Sequence, residues 1–219
     1  MEQRKKVSEA VVKRLPRYYR HLSQLLEGNI DRISSNGLAK RMNITASQVR
    51  QDLNNFGGFG QQGYGYNVKI LHSEIGNILG LGQELTCVLI GAGNLGHAVA
   101  NYTNFERRGF KIKGIFDNNP AIIGTQINNI TVQSVEKLVS FIKTNNIKIA
   151  MLTLPANSVR ELIDTIVAAG IKGIWNFSYL DMELPSNVAL VNVHLSDSLM
   201  TLAYKINEIE LLKKLEESV

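Results

Sequence analysis

Cysteine is almost absent from this 219-residue chain: there is one, Cys87, so no disulfide can form within it. Cys87 lies in the apolar run TCVLIG, where a small buried thiol is expected rather than a redox centre. No apolar run reaches the ~18 residues of a membrane-spanning helix. The opening MEQRKKVSEAVVKRLP lacks the apolar stretch of a signal peptide. A cytoplasmic protein is expected. Metal-holding patterns are also missing: there is no Cys-x-x-Cys and no cluster of carboxylates. Tyr102, Tyr179 and Lys172 do not form a Tyr-x-x-x-Lys spacing, and His21, His72, His97 and His194 suggest no common site. His97 follows a glycine loop, where an exposed ring is the default. Only His194, near a strand end, is placed to face a cleft.

What is present is basic charge, unevenly placed. Residues 1–83 hold 12 Lys and Arg against 6 Asp and Glu, whereas residues 84–219 hold 12 against 13. The excess belongs to the N-terminal third, which makes a phosphate backbone a fitting partner for that part. The length suits two small domains.

SEAVVKRLPRYYRHLSQLLEG reads as a helix capped by Ser8 and stopped by Gly28, with Leu15, Tyr18, Leu22, Leu25 and Leu26 as its apolar stripe. Pro16 marks either a kink or the first turn of the longer helix. A short helix after Ser34 or Ser35 buries Leu38, Ala39 and Met42. A second begins at Thr45, which forms a capping box with Gln48. Ala46, Val49 and Leu53 share one face of it, leaving Ser47, Gln48, Arg50, Gln51 and Asn54 on the more exposed surface. Two short helices about a tight turn fit a helix-turn-helix with its recognition helix. Gln and Asn suit adenine edges, Arg suits guanine or phosphate, and Ser47 at the helix start suits a phosphate oxygen.

FGGFGQQGYGYNV follows, with five glycines among aromatics. It reads as a tight hairpin whose base Tyr64 and Tyr66 pack. Such a hairpin is the wing of a winged helix, carrying Gln61, Gln62 and Tyr64 toward DNA backbone or minor groove. The plainer alternative is a small helical domain with a glycine-rich surface loop.

From Leu85 strand and helix signals alternate. In VLIGAGNLG, Gly91 makes the turn, Gly93 admits a pyrophosphate and Gly96 lets helix pack on strand. The helix from Asn94, reading through NLGHAVANYTNFERRG, offers N–H groups to phosphate. Asp117 ends the next strand, 26 residues beyond Gly91, where its carboxylate suits a ribose 2′-hydroxyl and repels a 2′-phosphate. NAD is therefore favoured over NADP. Further units run through NITVQSVEKLVSFIKTN, IKIAMLTLP, NSVRELIDTIVAAG (capped by Asn157 or Ser158), IKGIWNFS and VALVNVHL. They give an α/β fold, a doubly wound parallel sheet with ligand groups at the Gly91, Asp117, Thr153–Pro155 and Phe177 loops. The closing LSDSLMTLAYKINEIELLKKLEE forms a helix of ~20 residues. Its apolar face of Leu195, Leu199, Leu202, Ala203, Ile206, Ile209, Leu212 and Leu215 either covers its own sheet or makes a dimer.

RLPRYYRHL, ISSNGLAKRM, QVRQDL, FGGFGQQGYGYNV, VLIGAGNLG, FDNNP, LTLPA, GIKGIWNF and LMTLAY resemble the redox-sensing transcriptional repressors of the Rex family, in one register from Glu9 to Tyr204. The resemblance implies a winged-helix domain, a Rossmann domain and a homodimer whose C-terminal helix crosses to the partner. It also implies operator binding when NAD+ prevails and release when NADH binds. Gly91, Ala92, Gly93, Asn94, Leu95 and Gly96 would then hold pyrophosphate and Asp117 the ribose. Thr153 and Pro155 would line the cleft, and Phe177 would fall near the nicotinamide. Arg20, Tyr102 and His194 match a redox-linked network, but the family has aspartate where this chain has His194. Lysine is usual at Gln51, and a basic residue at Gln61–Gln62.

The expected domains are therefore a winged-helix DNA-binding domain over 1–83, a Rossmann NAD(H)-binding domain over 84–195 and a swapped helix over 196–219. DNA contacts are expected from Thr45, Ser47, Gln48, Arg50, Gln51, Asn54, Gln61, Gln62 and Tyr64. A pseudo-palindromic operator, NADH and NAD+ are the expected partners of a repressor that is not an enzyme. A small NAD-dependent oxidoreductase is the alternative.

Overall fold

The computed structural model describes residues 7–57, 59–61 and 64–217, and the chain divides into two compact units, Met1–Gln83 and Glu84–Val219. The first contains α1 (Glu9–Glu27), β1 (Arg32–Ile33), α2 (Ser35–Met42), α3 (Ala46–Asn54), β2 (Gly60–Gln61), β3 (Gly65–Asn67) and α4 (Val68–Ile78). The strands form an antiparallel sheet in the order β1-β3-β2. The α1-β1-α2-α3-β2-β3 sequence is that of a winged helix, with β2–β3 as the wing. Its core gathers Leu15, Tyr18, Leu22 and Leu25 of α1, Leu38 and Met42 of α2, Val49 and Leu53 of α3, and Leu71 and Ile75 of α4.

Several local details depart from expectation. Ser8 occupies the α1 cap position, yet its side chain makes no capping bond. Pro16 lies inside an uninterrupted α1 rather than in its first turn. It is exposed, so the carbonyl one turn earlier that it leaves without an N–H donor lies on the watery side. Thr45 does cap α3, accepting from the Gln48 N–H at 3.1 Å, but the Gln48 side chain turns to Asp52 instead of returning to Thr45. Tyr66 is buried, whereas Tyr64 is 70% exposed and packs no base. Strand β1 and helix α4, which Asn67 caps by accepting from the Ile70 N–H, carry too few sequence signals to have been expected.

The second unit contains β4 (Leu85–Ile90), α5 (Asn94–Ala100), β5 (Phe110–Asp117), β6 (Gln126–Ile127), β7 (Ile130–Ser134), α6 (Leu138–Thr144), β8 (Ile149–Leu152), α7 (Ala156–Ala168), β9 (Gly173–Asn176), β10 (Ala189–Asn192) and α8 (Leu195–Glu216). Its seven-stranded sheet runs β10-β9-β8-β4-β5-β7-β6. Every pairing is parallel except the short β6 against β7. Alternation along β4 builds two cores. Val88 and Ile90 pack with α6 and α7, while Cys87 and Leu89 pack with Val99 and Ala100 of α5. Burial pushes the Cys87 thiol up to about 12, so it is a packing group.

Helix α5 is shorter than its sequence suggests, ending at Ala100 before turns and a 3-10 turn at Glu106–Arg108. Helix α7 starts at Ala156 with Pro155 in the cap position, so neither Asn157 nor Ser158 caps it. Proline's fixed φ suits that entry. No residue of α8 is buried, so it does not cover the sheet of its own unit.

Candidate cofactor site and nucleic-acid interface

The sheet order reverses at β4, which has β5 on one side and β8 on the other. A crevice outside the strand C-termini opens at such a switch point. The glycine loop lies there, and each glycine has a separate reason. Gly91 has φ +100°, and a Cβ on it would meet the Thr153 carbonyl oxygen at 2.7 Å. A Cβ on Gly96 would collide with the Gly91 carbonyl. Gly93 is exposed, and a Cβ there would meet nothing within 4 Å. The open space over Gly93, beside the start of α5, fits a pyrophosphate.

Asp117 and Thr153 act first on this loop. Asp117, 8% exposed, accepts from the Ala92 N–H at 2.6 Å and from the Asn119 N–H at 2.8 Å. Each oxygen retains a lone pair, so a ribose hydroxyl can still donate to it. The Thr153 hydroxyl donates to the Gly91 carbonyl at 2.7 Å. A cavity of about 140 Å³ lies beside Asp117, lined also by Ile90, Asn118, Val135, Leu154, Ser158, Glu161 and Leu162. Its apolar walls and two carboxylates suit an adenosine without a 2′-phosphate. Glu161 was not expected, because nothing in the α7 spacing marks it. Asn94 is exposed, Leu95 half-buried, and Pro155 exposed at the α7 start. Phe177 packs edge-on against Trp175, with ring centroids 4.5 Å apart. Trp175 meets Phe105 at 5.5 Å and Phe105 meets Tyr102 at 4.7 Å, so the aromatic run from Phe177 ends at Tyr102.

The expected redox-linked residues have separate surroundings. Arg20 is exposed on α1 in the first unit. In the second, the Tyr102 hydroxyl accepts from the Asn104 amide at 3.3 Å, and His194 stacks on Tyr179 with centroids 5.7 Å apart.

On α3, Ser47, Arg50, Gln51 and Asn54 are exposed, as is the capping Thr45. Arg50 donates to the Ser35 hydroxyl at 3.1 Å, which steadies the guanidinium beside the start of α2. Gln48 is half-buried and engaged with Asp52, which separates it from the other four. Gln61 stands on β2, and Gln62 lies outside the described residues. At the wing, Arg32 donates to the Tyr64 carbonyl at 3.3 Å and lies 5.9 Å from the centre of its ring.

A winged helix with an exposed polar face on α3, followed by a doubly wound sheet with an open glycine loop, fits a nucleotide-responsive DNA-binding regulator. A family described as "Putative DNA-binding protein N-terminus" matches residues 6–54, and one described as "CoA binding domain" matches residues 83–180. The redox-sensing transcriptional repressor Rex of Caldanaerobacter subterraneus subsp. tengcongensis is 56% identical over 96% of this chain and 94% of its own length. A crystal structure of RSP with β-NAD+ and operator DNA is 53% identical, with a TM-score of 0.88 over 97% of this chain and 98% of that one. A structure of RSP with β-NADH is 51% identical, with a TM-score of 0.89 over 96% and 99%. The chain belongs to the Rex family of redox-sensing transcriptional repressors.

Proposed function

We propose that a homodimer of this chain binds a pseudo-palindromic operator through α3 and the wing when NAD+ prevails, and releases it when NADH occupies the glycine cradle. The observation that carries the proposal is the presence, in one chain, of an exposed Ser47, Arg50, Gln51 and Asn54 face and an open Gly93 cradle. Relatives solved with NAD+ and operator DNA, and with NADH, support it. The bound cofactor supplies the redox signal, and the chain's own residues hold it. Gly91–Gly96 receive the pyrophosphate, Asp117 the ribose, Thr153 and Pro155 edge the cleft, and Phe177 meets the nicotinamide end. We place the chain among regulators and not enzymes. Two of its histidines have packing parts: His72 stacks on Tyr19 at 4.2 Å, and His194 on Tyr179.

Asp117→Ala should weaken NADH by ~10- to 100-fold, the scale of losing hydrogen bonds to a charged group. Part of that loss comes from freeing the Ala92 N–H. The preference for NADH over NADPH should narrow without vanishing, because Glu161 remains at the cavity. Calorimetry with both cofactors tests this, and equal affinities in the unmodified protein would sink the assignment.

The switch is tested by titrating operator binding against the NADH/NAD+ ratio at fixed total cofactor. If Arg20, Tyr102 and His194 form the coupling network, the imidazole lacks the carboxylate's negative charge and with it the charge-assisted bond of an aspartate, worth ~1.5–3 kcal/mol. Reversing a 99:1 population needs ~5.5 kcal/mol of differential binding, so that deficit blunts the response. NADH should release the native protein incompletely, and His194→Asp should sharpen release several-fold. Superimposable curves for the two proteins would remove His194 from the network. Tight operator binding unaffected by any ratio would remove the redox switch itself.

A further inference from the structure

One buried acid holds the recognition helix from behind. Asp52 is fully buried, on the α3 face that also carries Val49 and Leu53. Arg14 donates to its Oδ2 through Nε at 2.6 Å and to its Oδ1 through Nη2 at 2.8 Å. The Tyr18 hydroxyl donates to Oδ2 at 3.0 Å, and Gln48 Nε2 donates to Oδ1 at 2.7 Å. Arg14 and Tyr18 stand one turn apart on α1, so the cluster ties α1 to α3. Burial alone would raise the Asp52 carboxyl, but the hydrogen bonds from Arg14, Gln48 and Tyr18 outweigh it and hold it below its ordinary value. The group therefore stays ionised at neutral pH. A paired arginine fork restricts rotation as well as distance.

Burying an ion pair is not in itself a route to stability, since desolvation offsets the attraction. Packing between α1 and α3 could be served by apolar residues. The cluster instead does two things that bear on reading DNA. It fixes the roll of α3 about its own axis, and it takes a side chain from the first full turn of that helix out of the exposed set.

We propose that Asp52 is a positioning residue for operator recognition: it withdraws Gln48 from base reading and locks α3 to α1, leaving discrimination to Ser47, Arg50, Gln51 and Asn54. The proposal rests on α3 being the recognition helix, as stated above. It separates specific from non-specific binding. A rolled or loosened α3 still lies near phosphates, whose contacts carry no sequence information, but its side chains no longer meet their base edges.

The test is fluorescence anisotropy on the full-length chain with two duplexes of equal length, the operator of the DNA-bound relative and a scrambled sequence. For Asp52→Asn, operator affinity should fall about tenfold or more, from weakening bonds to a charged group, and affinity for the scrambled duplex by less than about threefold. Gln48 stands on α3 beside Asp52, so Gln48→Ala leaves the tie to α1 through Arg14 and Tyr18 in place, and should change both affinities by less than about threefold and keep their ratio. Tyr18→Phe removes one donor while keeping the ring, and should lower the operator-to-scrambled ratio in the same direction by a smaller factor. It decides the matter if Asp52→Asn does not fold. Equal loss on both duplexes in the folded variant would reduce Asp52 to a structural role and overturn the proposal. So would a selective loss of operator in Gln48→Ala, because Gln48 would then be a base reader. Should the unmodified chain itself bind both duplexes alike, the DNA-reading face is wrong and the proposal goes with it.

Discussion

Removing residues 196–219 is expected to abolish the dimer and to cut operator affinity by at least about a hundredfold, since the second half-site would no longer be engaged intramolecularly. Helix α8 carries ten large apolar side chains: Leu195, Leu199, Met200, Leu202, Tyr204, Ile206, Ile209, Leu211, Leu212 and Leu215, each 46–67% exposed. They do not form one stripe. Met200, Tyr204 and Leu211 stand off the face formed by Leu199, Leu202, Ile206 and Ile209. Apolar side chains therefore stand on more than one side of α8, among charges such as Lys205, Glu208 and Glu210, and more of them are uncovered than one contact face would leave. Half-burying a large apolar side chain contributes roughly 1 kcal/mol, so ten give roughly 10 kcal/mol per chain and twice that in a two-fold dimer. Association costs about 4–15 kcal/mol, which leaves a surplus for a stable pair. In the proposed dimer each chain would insert one helix and receive another, so a second copy would satisfy this surface twice over. Light scattering on the truncated protein should show monomer or aggregate. A soluble dimer of residues 1–195 would show that α8 is not the clamp.

How much of this was legible beforehand depended on how local the signal was. The glycine loop was readable because turn, close approach and helix packing each demand glycine at a fixed offset; the structure shows the turn at Gly91 and the tight packing at Gly96, and leaves open space at Gly93. The α2 and α3 boundaries followed from Ser34 and Thr45, whose hydroxyls accept from Gly37 and Gln48 three residues on. Helix α4 was missed because HSEIGN interrupts a short apolar pattern with Gly76, a position held by packing: a Cβ there would press Tyr19 at 3.2 Å. The Asp52 cluster was illegible for another reason. Its donors Arg14 and Tyr18 stand 38 and 34 residues away, and nothing near Asp52 distinguishes it from an ordinary exposed helical acid. Its one local clue was position, since it falls on the same face as Val49 and Leu53. The second role of Asp117, supporting the loop it faces, was hidden in the same way, because the Ala92 N–H reaches it only once β4 and β5 pair.

Those separate glycine roles lead to a paired outcome: Gly93→Ala should abolish NADH response with little loss of stability, whereas Gly96→Ala should lose both. Gly93 has φ −70° and ψ −169°, backbone that alanine adopts freely, and its added methyl would stand in open space. Folding should therefore change by less than ~0.5 kcal/mol, the scale of a harmless surface substitution. The same methyl would occupy the volume a pyrophosphate needs against the loop N–H groups, so NADH affinity should fall by about a hundredfold or more, equivalent to ~2.7 kcal/mol or more. At Gly96 the methyl would meet the Gly91 carbonyl, a backbone atom that cannot rotate away. Helix α5 must then separate from β4, an overpacking strain of about 1–3 kcal/mol. Thermal melts read the stability difference. Cofactor binding can be read from the chain's single tryptophan, Trp175, which packs on Phe177, the residue proposed to meet the nicotinamide. Bound NADH should accept its excitation energy, and Gly93→Ala should lose that transfer while melting with the native protein. A Gly93→Ala protein that keeps native NADH affinity would mean that the dinucleotide does not approach the loop at Gly93. The open space above that residue would then have to be explained by some other ligand.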